Sequence, residues 1–323
     1  MITENYIQKI KELLENRQII IYFAAVILAL IIASLTPNTS VLEASINPAL
    51  ALMLYVTFLQ VPLVEMKQAF KQVRFLFALL IANFFIVPVF VMLLVRLTVT
   101  DPMIQLGVLM VLLTPCIDYV ITFSHLGRAD ARLLLVATPV LLVMQMLLLP
   151  FFLKLSLGVN AAHLIHPGPF IQAFIWLIFI PFILAALTQF WSENNLTGKR
   201  VSSILGLLPV PATAIVLFIV VAAVVPQLGQ AIDEVVTVVP IFIAFAFVAP
   251  LLGWPVCKMF SLNVPSSRAI AFSTSTRNSL VVLPLALAIP GAIPVLPAII
   301  ITQTLVELIS ELLYVRIIPR LIK

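Results

Sequence analysis

Apolar runs near the length that spans a bilayer, about 18 to 20 residues, recur along this chain from end to end. In hydrocarbon a chain must satisfy its own backbone, and runs of that length do so as helices. Only 10% of the residues are charged, 63% are hydrophobic and the mean hydropathy is +1.22, so an all-α polytopic membrane protein is expected. Nine glycines stand against 23 prolines, which places the expected helix breaks mainly at proline, a residue without an N–H and with a fixed φ. The two cysteines, Cys116 and Cys257, both lie in apolar segments and suggest neither a disulfide framework nor a zinc cluster. The first apolar run begins after 17 largely polar residues and has the length of a full span, which reads as an uncleaved helix rather than a signal peptide.

Hydropathy places ten spans near 18–36, 46–64, 73–95, 103–126, 132–156, 169–191, 203–225, 235–257, 267–289 and 293–317. Ahead of them, "ENYIQKIKELLENR" carries Tyr6, Ile7, Ile10, Leu13 and Leu14 at helical spacing, which fits residues 1–17 as a short interfacial helix or a solvated tail. The basic residues test the count. With the N-terminus cytoplasmic, fifteen of the 18 lysines and arginines, Lys67, Lys71, Arg128 and Arg268 among them, fall on the inner side, against Arg96 and Lys154 outside. That is the split the positive-inside rule requires, and it predicts a multi-pass protein of the cytoplasmic membrane with both termini inside. The formal charge of +5 is then accounted for by anionic lipid and calls for no nucleic acid. The remaining cation, Arg277, lies inside span nine, where a charge costs a few kcal/mol at least on insertion scales (~2.5–3.5) and must face protein or water.

The chain divides at "VNAAHLIHPGPF", giving a first five-helix repeat over 18–158 and a second over 159–323. Five is odd, so a second half with the same plan enters the membrane from the opposite side, and the result is two inverted repeats, as in many secondary transporters. Span four then pairs with span nine. In span four "TPC" falls near the midplane, with about 16 Å of helix before it and about 15 Å after it at 1.5 Å per residue; "STSTRNS" has the matching depth in span nine.

Pro115 fits the first position of a restarted helix, with Thr114 as its cap and with Cys116 and Asp118 in its first turn. Free N–H groups and the positive end of a helix dipole there favour an anionic group. Ser273, Thr274, Ser275 and Thr276 offer hydroxyls, Asn278 an amide and Arg277 a fixed positive charge, enough to hold a polar solute or an ion. Each residue also has a plainer reading: hydroxyls bond back to their own helix, a proline kinks one, a cysteine packs as a small hydrophobe, and Asp118 with Arg277 makes a structural ion pair.

The ten-span plan, "TPCIDYVITFSHLGRAD" in span four, "STSTRNSLVVLPLALA" in span nine and "TLVELISELLYV" in span ten together resemble the bile acid:sodium symporter superfamily, most closely its arsenical-resistance (arsenite permease) branch. The resemblance implies broken crossing helices 4 and 9, a core domain from spans 3–5 and 8–10, and a panel domain from spans 1, 2, 6 and 7. In arsenite permeases a cysteine opening the second half of span four and a glutamate in span ten form the functional pair, which maps onto Cys116 and Glu307. In the sodium-coupled relatives an acid shortly before a Gln-Asn-Ser group in span nine helps to bind sodium. Here Ser273 stands in place of the acid and Arg277 in place of the glutamine, while Asp118 replaces the small or neutral residue usual after the permease cysteine. A guanidinium beside a cation site raises the cost of bound sodium by several kcal/mol at an effective dielectric of about 20. The sequence therefore argues against sodium and for a coupling proton on Asp118 or Glu307, or for potential-driven export.

The expected function is secondary active transport of a small oxyacid, arsenite efflux, by alternating access. Cys116, Arg277, Thr114, Asn278 and Ser279 form the expected substrate site, with Ser273, Thr274, Ser275 and Thr276 as further polar ligands and no metal or cofactor. A small organic anion held by Arg277 and the helix ends is the alternative cargo. An intramembrane enzyme is disfavoured: there is no HExxH and no Gly-x-Ser-x-Gly, and His125, His163 and His166 lie away from the crossover. A passive channel needs no paired broken helices around a closed site. Asp118 and Arg277 are expected to compensate one another when the site is empty.

Overall fold

The computed structural model describes residues 2–36, 39–60, 72–158, 168, 171–172, 174–229, 231–287, 289 and 291–323. The chain runs through α1 (Ile2–Leu35), α2 (Ile46–Leu59), α3 (Val73–Thr98), α4 (Pro102–Leu112), α5 (Tyr119–Leu126), α6 (Ala131–Leu157) and α7 (Phe174–Asn194). It continues through α8 (Leu196–Leu205), α9 (Pro209–Leu228), α10 (Ile232–Leu252), α11 (Trp254–Met259), α12 (Val264–Ser275), α13 (Ser279–Leu287) and α14 (Val295–Leu321). No β-strand occurs among the described residues. Lys67, Lys71, His163, His166, the junction residues 159–167 and the side chain of Tyr6 lie outside the described set.

Eight helices among the described residues are long and apolar enough to cross a membrane: α1, α2 with the 3₁₀ turn Thr39–Ser45 before it, α3, α6, α7, α9, α10 with α11, and α14. Their outer faces carry large apolar side chains such as Leu147, Phe190 and Phe247, at 67%, 68% and 72% exposure, as a hydrocarbon solvent allows. Expected spans four and nine do not appear among the eight, because each is cut into two short helices, α4 with α5 and α12 with α13. α1 runs through residue 17 without a break, so the polar N-terminal segment and the first span form one helix.

Helix starts follow capping chemistry. Asp101 accepts from the amides of Met103 and Ile104 at 2.8 and 2.9 Å, with Pro102 at the first helical position of α4. Asp130 caps α6, Asn195 caps α8 and Asn263 caps α12 in the same way. The expectation that breaks arise mainly at proline fits the α4–α5 break, which holds Pro115, and is corrected elsewhere. Pro139 and Pro150 lie inside α6, Pro240 and Pro250 inside α10, Pro284 inside α13 and Pro319 inside α14, all in continuous helices, while the break at 276–278 contains no proline. Each proline removes a single ladder bond, which a packed membrane helix tolerates. Opening a helix fully requires new partners for several backbone groups.

The chain forms two compact units. Met1–Leu63 with Ile171–Gly229 make one, in which α1 packs along α9, and α2 along α7 and α9. Tyr55 and Thr188 hydroxyls meet there at 2.9 Å, and Phe58 stacks edge-on against Phe182 at 5.4 Å. Val64–Phe170 with Gln230–Lys323 make the other, whose axis is α14, packed on α10, α4 and α13. Gly107 permits that approach: a Cβ would lie 2.9 Å from Ile299 Cδ1.

Candidate functional site

The site lies entirely within the second unit, where the two interrupted helices meet. Between α4 and α5, and again between α12 and α13, the backbone becomes extended and pairs as an isolated antiparallel bridge, Pro115 with Arg277. The Cys116 amide donates to the Thr276 carbonyl at 3.0 Å, and the Asn278 amide donates to the Thr114 carbonyl at 2.8 Å. These two bonds supply the partners that the opened helices lose. The C-terminal ends of α4 and α12 and the N-terminal ends of α5 and α13 thus converge, bringing negative and positive helix ends to one place.

The restart falls later than expected. Asp118, not Thr114, caps α5, its carboxylate accepting from the Tyr119 amide at 2.6 Å. Thr114 turns its hydroxyl back to the Val111 and Met110 carbonyls at 2.9 and 3.1 Å and closes α4. The physical reason is the bridge, which holds residues 114–116 extended and leaves Cys116 ahead of the helix. The Cys116 thiol, 1% exposed, donates to Asp118 Oδ1 at 2.9 Å.

Arg277 is wholly buried, yet it does not pair with Asp118, which corrects the expected compensation between them. Nη1 donates to Leu112 O at 3.3 Å, and Nη2 donates to Ser273 O at 2.6 Å and to Asn83 Oδ1 at 3.1 Å. Leu112 and Ser273 lie in the last turns of α4 and α12, so the guanidinium neutralises two helix C-termini at once, which a single carboxylate partner would not allow. The ring of Phe245 lies 5.5 Å from the guanidinium carbon.

Glu307 on α14 accepts three donors: the Tyr119 hydroxyl at 2.5 Å, the Arg277 backbone amide at 2.7 Å and Gln303 Nε2. Glu311, one turn further on, hydrogen-bonds among the described residues only to the Thr276 hydroxyl. Of the expected polar ligands, Thr274 and Ser275 bond back to Ala271 O at 3.0 and 2.8 Å and are spent on their own helix. Ser273 Oγ accepts from Asn83 Nδ2 at 3.0 Å, and Ser279 Oγ accepts from Thr304 at 2.8 Å. Among the described residues, four buried polar atoms near the bridge have no hydrogen-bond partner: Arg277 Nε, Asn278 Nδ2, Gln303 Oε1 and Glu311 Oε2. Gln303 also lines a small cavity of about 10 Å³, together with Leu112, Phe242, Phe245, Glu307 and Tyr314 among others.

Sequence reasoning misses Asn83, Tyr119, Gln303 and Glu311, the last of which the structure buries completely. Asn83 sits in the π-helical turn Ala82–Ile86 of α3, a distortion that recurs at functional positions and is marked only by a lone amide in an apolar run. The signal for Glu311 is its four-residue spacing from Glu307 on one helix face.

No curated protein matches the chain at a significant level. Residues 47–234, more than half of the 323, match the model of the Sodium Bile acid symporter family, whose members are membrane transporters; the match includes the α4–α5 break and ends before α12. The chain therefore belongs to the Sodium Bile acid symporter family, as a multi-pass helical membrane transporter of that type.

Proposed function

We propose that the protein is a ten-span secondary transporter exporting a small oxyacid, arsenite, by alternating access, with both termini cytoplasmic. Counting α4 with α5 and α12 with α13 as one span each adds two spans to the eight uninterrupted helices. The meeting of those two interrupted segments at Pro115 and Arg277 supports the pairing that two inverted five-helix repeats require. The compactness of the two units, each drawn from one segment of either half of the chain, supports a division into core and panel domains.

The contact that carries the cargo reading is that of Cys116 with Asp118, a free thiol on a carboxylate at 2.9 Å, beside four converging helix ends. Thiol sulfur is a soft ligand and trivalent arsenic a soft acid. Binding exchanges one As–OH for As–S: the S–H and As–O bonds break, the As–S bond forms, and hydroxyl and proton leave as water with no change of oxidation state. Asp118 is placed to take the thiol proton and pass it to the departing hydroxyl, and the reverse steps release the cargo. Arg277 Nε and Asn278 Nδ2 are donors for the remaining hydroxyl oxygens. Arg277 at the crossing disfavours sodium, so coupling runs through protons on the buried carboxylates. The same two unpartnered donors favour a second reading, a small organic anion accepting from both.

Everted vesicles containing the full-length protein test this directly. Saturable, gradient-dependent arsenite accumulation is expected. Accumulation of small carboxylates with no arsenite transport would replace the first reading by the second.

A further inference from the structure

Glu307 and Glu311 differ in a way that neither the family nor the oxyacid reading uses. Both are buried, at 3% and 0% exposure, and both approach the α12–α13 break from α14. Glu307 is surrounded by three donors and suits an anion. Among the described residues Glu311 has one hydrogen bond, to the Thr276 hydroxyl, and its second oxygen has no partner. The Thr276 hydroxyl has one proton and already lies 2.7 Å from the Phe272 carbonyl, an acceptor that can supply none. Both contacts are satisfied together when Glu311 carries the proton and donates it to Thr276 Oγ1, leaving the threonine proton for Phe272.

We propose that Glu311 is a proton-binding site of this transporter, a carboxylic acid while its contact with Thr276 is made and a carboxylate when that contact is lost. The surrounding charges agree. On α14 itself the titratable neighbours are Glu307 and Tyr314, whose hydroxyl donates to Ala246 O at 2.6 Å and not to Glu311. From the α12–α13 break, the Arg277 guanidinium is directed to Asn83, Ser273 and Leu112. From the α4–α5 break, Tyr119 reaches Glu307, while Cys116 and Asp118 bond to one another. α10, which packs on α14, carries its titratable residues, Asp233 and Glu234, in its first turn, away from Ala246, where Tyr314 bonds. Among the described residues no cation thus offsets a negative charge on Glu311, and a second carboxylate stands one turn away. Two like groups with unequal environments divide the roles, Glu307 as anion and Glu311 as acid. Because Thr276 adjoins the bridge residue Arg277, loss of the proton acts on the crossing that forms the candidate site.

The coupling role rests on the transporter reading; the proton itself is read without transport. Infrared spectra of the full-length protein in lipid should show the carbonyl stretch of a buried carboxylic acid that Glu311→Gln removes and Glu307→Gln retains. Thr276→Val, which keeps the acid but deletes its partner, should shift the band without removing it, and this serves if the Glu311 variant fails to fold. Persistence of the band in Glu311→Gln, its disappearance in Glu307→Gln, or its absence from the unmodified protein would overturn the proposal. In vesicles that transport, Glu311→Gln should lose acceleration by a pH gradient while retaining exchange of cargo at equal pH. Retained acceleration would overturn the coupling role even where the band assignment stands.

Discussion

Asn83 Oδ1 accepts from Arg277 Nη2 at 3.1 Å while Asn83 Nδ2 donates to Ser273 Oγ at 3.0 Å, so one amide on α3 bonds both to the buried cation and to the helix end that the cation neutralises. The amide's second donor contact, to Leu79 O at 3.1 Å, anchors it in its own helix. Arg277 is therefore held by a chain of neutral acceptors and not by an opposite charge. Its position is set by the geometry of two helix termini and one π-turn.

Removing either side of this contact strands the other. Arg277→Gln leaves Asn83 Oδ1 and the Leu112 and Ser273 carbonyls short of a donor, and Asn83→Leu leaves the guanidinium short of an acceptor; each should cost about 1–3 kcal/mol. The double variant should cost less than the two singles added, by roughly 0.5–3 kcal/mol. Unfolding of the four proteins in detergent measures the cycle, and additive losses would show that the bond contributes nothing.

Tyr119→Phe removes one of the three donors to Glu307 and leaves the Arg277 amide and Gln303 in place. A hydrogen bond to a charged group contributes about 1.5–3 kcal/mol, so the variant should fold with a lowered melting temperature. If Glu307 were held only by α14, the phenylalanine would leave stability unchanged.

Much of this crossing is legible in the sequence, and the rest is hidden for identifiable physical reasons. "TPC" and "STSTRNS" mark both breaks, because hydroxyls, a proline and a cation within an apolar run are costly unless an opened helix or a polar pocket accommodates them. Charge pairing alone points Arg277 at Asp118, since opposite charge is the only partner a sequence displays. The carbonyls of Leu112 and Ser273, which hold the cation instead, have no sequence signature. Thr114 resembles a cap by residue type, but the bridge that delays the restart to Tyr119 depends on residues more than 150 positions away.

Cys116→Ser should abolish arsenite transport while the protein remains folded. A hydroxyl fits the space of the thiol and can still donate to Asp118, but it lacks sulfur's affinity for trivalent arsenic. Intracellular arsenic retention in cells expressing each form is the measurement. Full resistance with serine would eliminate sulfur as the arsenic ligand and favour an organic anion as cargo.

Gly127 sits where α5 ends, in contact with the wholly buried ring of Phe272, three residues before the end of α12. A Cβ at Gly127 would lie 2.2 Å from Phe272 Cζ and 2.4 Å from Cε2, closer than non-bonded carbon atoms approach. The ring cannot simply swing away, since packing around a buried side chain leaves no free rotamer volume. The backbone of Phe272 is also committed, its carbonyl accepting from the Thr276 amide at 3.0 Å and from the Thr276 hydroxyl at 2.7 Å. Displacing the ring therefore strains the turn that positions Thr276 and Arg277. Gly127→Ala should destabilise the protein by about 1–3 kcal/mol, the usual cost of overpacking, and should slow transport. Adding Phe272→Leu, which shortens the offending side chain, should restore part of both losses. A Gly127→Ala protein as stable as the original, or a double variant no better than the single, would show that α5 and α12 are not in this close contact.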